Sequence, residues 1–141
     1  MIAIACDHGG LALKQAMTAL LAERGTRILD LGTATAASVD YPDFAHRLAH
    51  AVASRKARAG ILICGTGIGM SMAANRHRGV RAAVCTNEYM ARMARLHNDA
   101  NVLCLGERVV GADLARAIAS VFLETGFEGG RHRRRVRKIE P

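Results

Sequence analysis

Five short apolar runs recur along this 141-residue chain: MIAIAC (1–6), TRILDL (26–31), GILIC (60–64), VRAAVC (80–85) and NVLCL (101–105). Each is followed by ten or more residues with helical spacing or composition. Leu11, Leu13, Met17, Leu20 and Leu21 predict one face of a helix. Leu114, Ile118, Val121 and Phe122 fall at i, i+4, i+7 and i+8 and predict another. Strands that are apolar throughout, rather than at every second position, need cover on both faces, which parallel strands with helical crossovers provide. The pattern predicts one five-stranded, doubly wound, Rossmann-like α/β domain over residues 1–141. Its parallel sheet carries helices on both faces, and residues 131–141 form a basic C-terminal arm.

Composition removes several classes of function. Half the residues are apolar and 23% are charged, enough to build a core. Aromatics make up 4%, with no Trp, too few for the stacking platforms of single-strand nucleic-acid binders. No run approaches the roughly 18 apolar residues of a membrane span. The opening MIAIAC has no basic leader and predicts no secretory signal. Cys6, Cys64, Cys85 and Cys104 form no CxxC pair, as expected of reduced thiols in a cytoplasmic protein. The net charge of +8 is largely local. Residues 131–141 hold six of the 20 basic residues and one of the 12 acids, which leaves +3 for residues 1–130.

In doubly wound sheets, chemistry gathers beyond the carboxyl ends of the strands. Asp7, His8, Gly9 and Gly10 follow the first run; Cys64-Gly65-Thr66-Gly67-Ile68-Gly69 follow the third; Thr86, Asn87 and Glu88 follow the fourth. Asp7, His8, Cys64 and Thr66 are expected to converge on one rim. The helix over 88–96 ends in His97, Asn98 and Asp99. The loop GTATAASVDYPDF (32–44) is the other candidate for a wall over the site.

Each of these groups has a plain structural reading beside a chemical one. CGTGIGMS offers successive amides opening into a helix, a setting that favours an anion. It lacks the Lys-Ser/Thr of a nucleotide P-loop, and its GxGxG spacing follows the third strand rather than the first. A tight turn without ligand is the alternative, as is a dinucleotide fold with Glu88 about 20 residues on. Cys64 precedes this helix terminus, where a thiolate is stabilised; the other three cysteines read as buried and inert. Asp7-His8 reads as a turn and cap, since neighbouring residues leaving a strand diverge and no further ligand lies at metal spacing. His97 reads as a helix C-cap. The run RHRRRVRK (131–138) is a solvated charge run or a polyanion binder. If it is helical, Arg131 and Arg135 share a face that two guanidiniums need to clasp one phosphate, and Gly129-Gly130 allow the bend that would return them to a site.

Taken together, DH after the first strand, ILICGTGIG, RLHNDAN, RVVG and EGGRHRRRV resemble the ribose-5-phosphate isomerase B family, in order and from residue 1 to about 138. The wider family includes galactose-6-phosphate, allose-6-phosphate and four-carbon sugar-phosphate isomerases. The resemblance implies an aldose–ketose isomerase with no metal or organic cofactor. It also implies a homodimer, sometimes a dimer of dimers, with the active site at the subunit interface, and no nucleic-acid or membrane partner. Cys64 resembles the base that moves the proton between C1 and C2. Other branches use a glutamate in this loop, but Ser71, Met72 and Ala73 offer no carboxylate. His97 resembles the ring-opening proton donor, with Asp7 beside the ring oxygens. Gly65, Gly67, Ile68 and Gly69 resemble the amide pocket for the enediolate, and Thr66 or Ser71 is a candidate proton relay. His8, Arg108, Arg131 and Arg135 resemble phosphate ligands, Asn98 a sugar-hydroxyl ligand, and Tyr41 a pocket wall. Arg133 and Arg134 exceed the pattern.

Isomerisation places negative charge on an enediolate oxygen, and fixed amides are the appropriate stabiliser. Two rivals remain: the same chemistry on another phosphosugar, with loop 32–44 setting its length, and a polyanion-binding module built on the basic tail.

Overall fold

All five apolar runs become strands in the computed structural model, which describes residues 1–141: β1 (Ile2–Cys6), β2 (Ile28–Asp30), β3 (Ala59–Cys64), β4 (Ala82–Val84) and β5 (Val102–Gly106). The helices are α1 (Leu11–Glu23), α2 (Tyr41–Ala53), α3 (Ile68–Ala74), α4 (Glu88–Asn98), α5 (Ala112–Glu124) and α6 (Arg131–Arg137). Every strand pair is parallel, and the order is β2-β1-β3-β5-β4. From β1 the chain moves outward to β2, then returns to lay β3 on the other side of β1. Order therefore reverses between β1 and β3, where a crevice opens beyond the strand ends.

The continuous runs resolve into two interleaved faces. Ile2, Ile4, Cys6, Ile61, Ile63, Leu103 and Leu105 pack with residues of α1, α4 and α5. Ala3, Ala5, Leu62, Cys64, Val102 and Cys104 pack with α2 and α3. Ile61, Ile63, Leu103 and Leu105 are fully buried, each contributing roughly 1.5–3 kcal/mol relative to exposure. The edge strands β2 and β4 are shorter and half-buried, so only the middle residues of their apolar runs pair. No helix is long and apolar enough to cross a membrane.

Four helical expectations are corrected. Residues 41–44 are not loop: α2 starts at Tyr41, because Pro42 stands in the first turn, where its missing N–H costs nothing, and Asp43 faces the positive end of the helix. Leu114 is 38% exposed, and α5 instead buries Ala115, Ile118, Ala119 and Phe122, with alanines completing the stripe. Leu11 is only half-buried, whereas Lys14 is buried within α1. The Lys14 ammonium donates to Asp30 Oδ1 and to the Thr33 carbonyl, both at 2.8 Å. α4 runs to Asn98, two residues beyond the expected end, and stops at Asp99, whose φ is +45°.

Candidate active site

At the carboxyl end of the sheet, β1, β3 and β5 each deliver a turn to the same rim. Asp7 is 8% exposed, and its Oδ1 accepts from Gly9 N at 2.8 Å, so it does cap the turn His8–Gly10. A Cβ built on Gly9 would lie 3.5 Å from Gly65 N, which brings the first turn against the third. His8 is exposed, and its Nδ1 accepts from Val39 N at 3.1 Å. Loop 31–40 is thereby drawn over the rim, and Nε2 is left to carry the proton of the neutral ring.

Cys64 ends β3 with 6% exposure, and its sulfur accepts from Gly67 N at 3.1 Å. The turn closes this tightly because Gly67 adopts φ +80° and lies against the backbone of Leu105. The Ile68 N–H is taken by Thr66 Oγ1 at 3.3 Å. The N–H groups of Gly69 and Met70, in the first turn of α3, have no acceptor within the chain. Tyr41 stands over Gly69, where an added Cβ would come within 2.6 Å of its ring. The turn after β5 is stitched to the same loop: Glu107 N donates to Cys64 O at 2.9 Å and Arg108 N to Gly65 O at 3.0 Å. These bonds lay the Arg108 side chain against Gly65. Ser71 donates its hydroxyl to Ile68 O at 2.7 Å, so its proton is already engaged.

Burial pushes the other thiols up, those of Cys6 and Cys85 to about 11 and that of Cys104 further still. Burial thereby disfavours the thiolate form of all three, which lie within the sheet and beside it. The fold thus gathers Asp7, His8, Tyr41, Cys64, Gly65, Thr66, Gly67, Ile68, Gly69, Ser71 and Arg108 at one rim.

It does not gather His97, Asn98, Arg131 and Arg135 there. α4 begins beyond β4 and descends antiparallel to the strands for 11 residues, about 16 Å at helical rise. Its last turn therefore lies at the amino ends of the strands. Gly129 and Gly130, at φ +73° and +56°, do bend the chain, but they fold α6 against α4 at that same end. The expected bend is therefore present, and it sets the arginines at the amino end of the sheet rather than beside Cys64 of the same chain. Arg131 and Arg135 are helical and four apart, so they share a face as expected. Asn98 also lines a cavity of about 600 Å³ whose wall includes Arg76, Arg78 and Arg81.

Two residues at this end escaped the sequence reading. Glu128 and His132 join His97 in a cluster whose ligand-type atoms lie within 4.8 Å of one another. Separation in sequence hid it, and only the i, i+4 spacing of Glu128 and His132 hinted at it. The two imidazoles are stacked, 12° from parallel. Their in-plane lone pairs therefore run side by side rather than toward one point, and a single metal ion would need one ring to turn.

The family model described as Ribose/Galactose Isomerase matches residues 2–139. Ribose-5-phosphate isomerase B of Escherichia coli (strain K12) is 49% identical over 138 residues, covering 98% of this chain and 93% of the relative. D-erythrulose-4-phosphate isomerase of Pectobacterium atrosepticum is 43% identical over 139 residues, 98% of this chain and 91% of that one. The solved structure of Clostridium thermocellum ribose-5-phosphate isomerase B superposes with a TM-score of 0.97 at 56% identity, covering 98% of this chain and 93% of that one.

Proposed function

This chain belongs to the ribose/galactose isomerase family, and from that membership we propose that it interconverts D-ribose 5-phosphate and D-ribulose 5-phosphate through an enediolate. The observation that carries the reading is the sulfur of Cys64 held by Gly67 N–H at 3.1 Å, beside the free amides that open α3. In the open-chain aldose, the Cys64 thiolate takes the proton from C2, and the carbonyl oxygen O1 becomes the enediolate oxygen. The hydroxyl proton then passes from O2 to O1, and the thiol returns its proton to C1. Amides aimed at the oxyanion typically supply about 10²–10³ in rate each. Thr66 suits the relay better than Ser71: its Oγ1 accepts from Ile68 N and keeps its proton free, whereas the Ser71 proton is spent on a carbonyl.

The remaining groups come from a second copy of the chain. Cys64 and Arg108 occupy one end of the sheet, while His97, Asn98, Arg131 and Arg135 occupy the other, so a homodimer with antiparallel sheets brings the two sets together. Large apolar side chains exposed near the rim support this pairing: Ile68 and Met72 one turn apart on α3, and Tyr89 and Met90 on the first turn of α4. Across the interface, His97 of the partner subunit protonates the ring oxygen while Asp7 accepts the proton from the hydroxyl at C1. The phosphate is held by His8 and Arg108 with the partner's Arg131 and the partner's Arg135, and it anchors the sugar without reacting. Asn98 of the partner subunit binds a sugar hydroxyl, and Tyr41 lines the pocket. No step calls for a metal, an organic cofactor or nucleic acid. We place the enzyme in the cytoplasm, a reading supported by four free, buried cysteines.

The test compares kcat/KM for ribose 5-phosphate, erythrulose 4-phosphate, allose 6-phosphate and galactose 6-phosphate, with Cys64→Ala as the control. Ribose 5-phosphate is expected to lead, and Cys64→Ala to lose turnover by about 10²–10⁴ while still binding phosphate. A higher kcat/KM for another sugar would reassign the substrate. Near-normal turnover in Cys64→Ala would remove the base.

A further inference from the structure

His97 and His132 stack with ring centroids 4.2 Å apart, and the Glu128 carboxylate faces Nε2 of both at 3.7 Å. The carboxylate is placed by its own main chain: Glu128 N donates to Leu96 O at 3.1 Å, tying the segment after α5 to the last turn of α4. The two rings differ in surroundings. His132 is buried, and its Nε2 is a buried side-chain nitrogen without a hydrogen-bond partner. The His97 side chain is 41% exposed. From α6, Arg131 and Arg135 face the pair. From α4, the Arg95 guanidinium is occupied by Asp99 and the carbonyls of Thr125 and Ala100. Desolvation, the neighbouring His97 ring and the two arginines hold the His132 pKa below its ordinary value, and Glu128 alone opposes them.

Two stacked imidazoles beside one carboxylate hold one proton readily, because a second would set two cations face to face. We propose that Glu128 is a positioning residue for His97: its carboxylate faces the Nε2 edge of that ring and, with the His132 ring stacked behind, orients the opposite edge toward substrate. The proposal rests on the reading of His97 as the ring-opening acid. With Nε2 turned toward the carboxylate, Nδ1 is the nitrogen left to act on a sugar oxygen. As the bond from C1 to the ring oxygen breaks, that oxygen takes the His97 proton, and the C1 hydroxyl releases its own to Asp7. The products are an aldehyde at C1 and a hydroxyl at C4.

Glu128→Gln preserves size and removes charge, and two rates separate its effects. Turnover of ribose 5-phosphate requires a five-membered ring to open. Exchange of the C1 hydrogen of ribulose 5-phosphate with solvent deuterium needs only the enediolate step on an open chain. In Glu128→Gln, turnover is expected to fall about tenfold or more while exchange stays within about twofold, and Glu128→Asp is expected to recover part of the loss. Equal losses in the two rates, or no loss in turnover while His97→Asn shows the split, would overturn the role of Glu128 alone. A His97→Asn variant without the split would instead remove the ring-opening reading of His97, and the Glu128 proposal with it.

Discussion

The N–H of Gly67 donates to the sulfur of Cys64 at 3.1 Å across the turn that joins β3 to α3. One hydrogen bond thereby fixes the thiol against the loop whose remaining amides face the same crevice. The consequence is selectivity among four cysteines that composition alone cannot tell apart.

Alkylation of the native protein should expose that selectivity. Burial pushes the Cys6 and Cys85 thiols up to about 11 and that of Cys104 higher still, so all three are expected to stay protonated at pH 8. Iodoacetamide at pH 8, followed by intact mass, is expected to add one label per chain, at Cys64, and ribulose 5-phosphate is expected to slow that addition. Four labels should appear only in denaturant. A first label on Cys6, Cys85 or Cys104 would show that the reactive sulfur is elsewhere.

Gly67→Ala tests the turn itself. The residue sits at φ +80°, and a Cβ there would come within 3.0 Å of the Leu105 carbonyl carbon, in backbone that cannot swing aside. Strain of about 1–3 kcal/mol is expected in the melting free energy. The kcat should drop much more than KM rises, because the amide moves off the sulfur while the phosphate ligands stay. Unchanged kcat would mean that the Gly67 amide plays no part in the chemistry.

Much of this was legible in the residues. Continuous apolar runs announced parallel strands covered on both faces, and the GTGIG loop after the third run marked the rim. The connection before α2 is less legible, because Pro42 and Asp43 suit a loop and a helix's first turn equally well, and the structure uses them for the latter. Strand order was not legible, since nothing local says that β5 inserts between β3 and β4. That insertion puts Arg108 beside Cys64. The separation of Cys64 and Arg108 from His97, Asn98, Arg131 and Arg135 at opposite ends of the sheet was equally hidden in the residues, because it follows from the direction of α4, and only the resemblance pointed to an interface. His97, Glu128 and His132 meet through tertiary packing that no spacing encodes.

The basic helix distinguishes an enzyme from a polyanion binder. Removing residues 131–141 takes away Arg131 and Arg135 but leaves the rim intact. The truncated chain is expected to lose affinity for ribose 5-phosphate by about tenfold or more, as for two charge-assisted contacts. The full chain is expected to bind RNA no more tightly than its charge requires. Truncation that abolishes tight, steeply salt-dependent RNA binding and leaves isomerisation intact would favour the binding module.

In the proposed dimer each catalytic site joins the thiol of one chain to the His97 of another. Cys64→Ala and His97→Asn, each inactive on ribose 5-phosphate by itself, should therefore complement when mixed under conditions that let subunits exchange. Half the dimers at equal mixing are mixed, and each has one site with both native residues, so about a quarter of wild-type activity is expected. A mixture that stays at the level of the separate variants, with mixed dimers demonstrated by mass, would contradict the account.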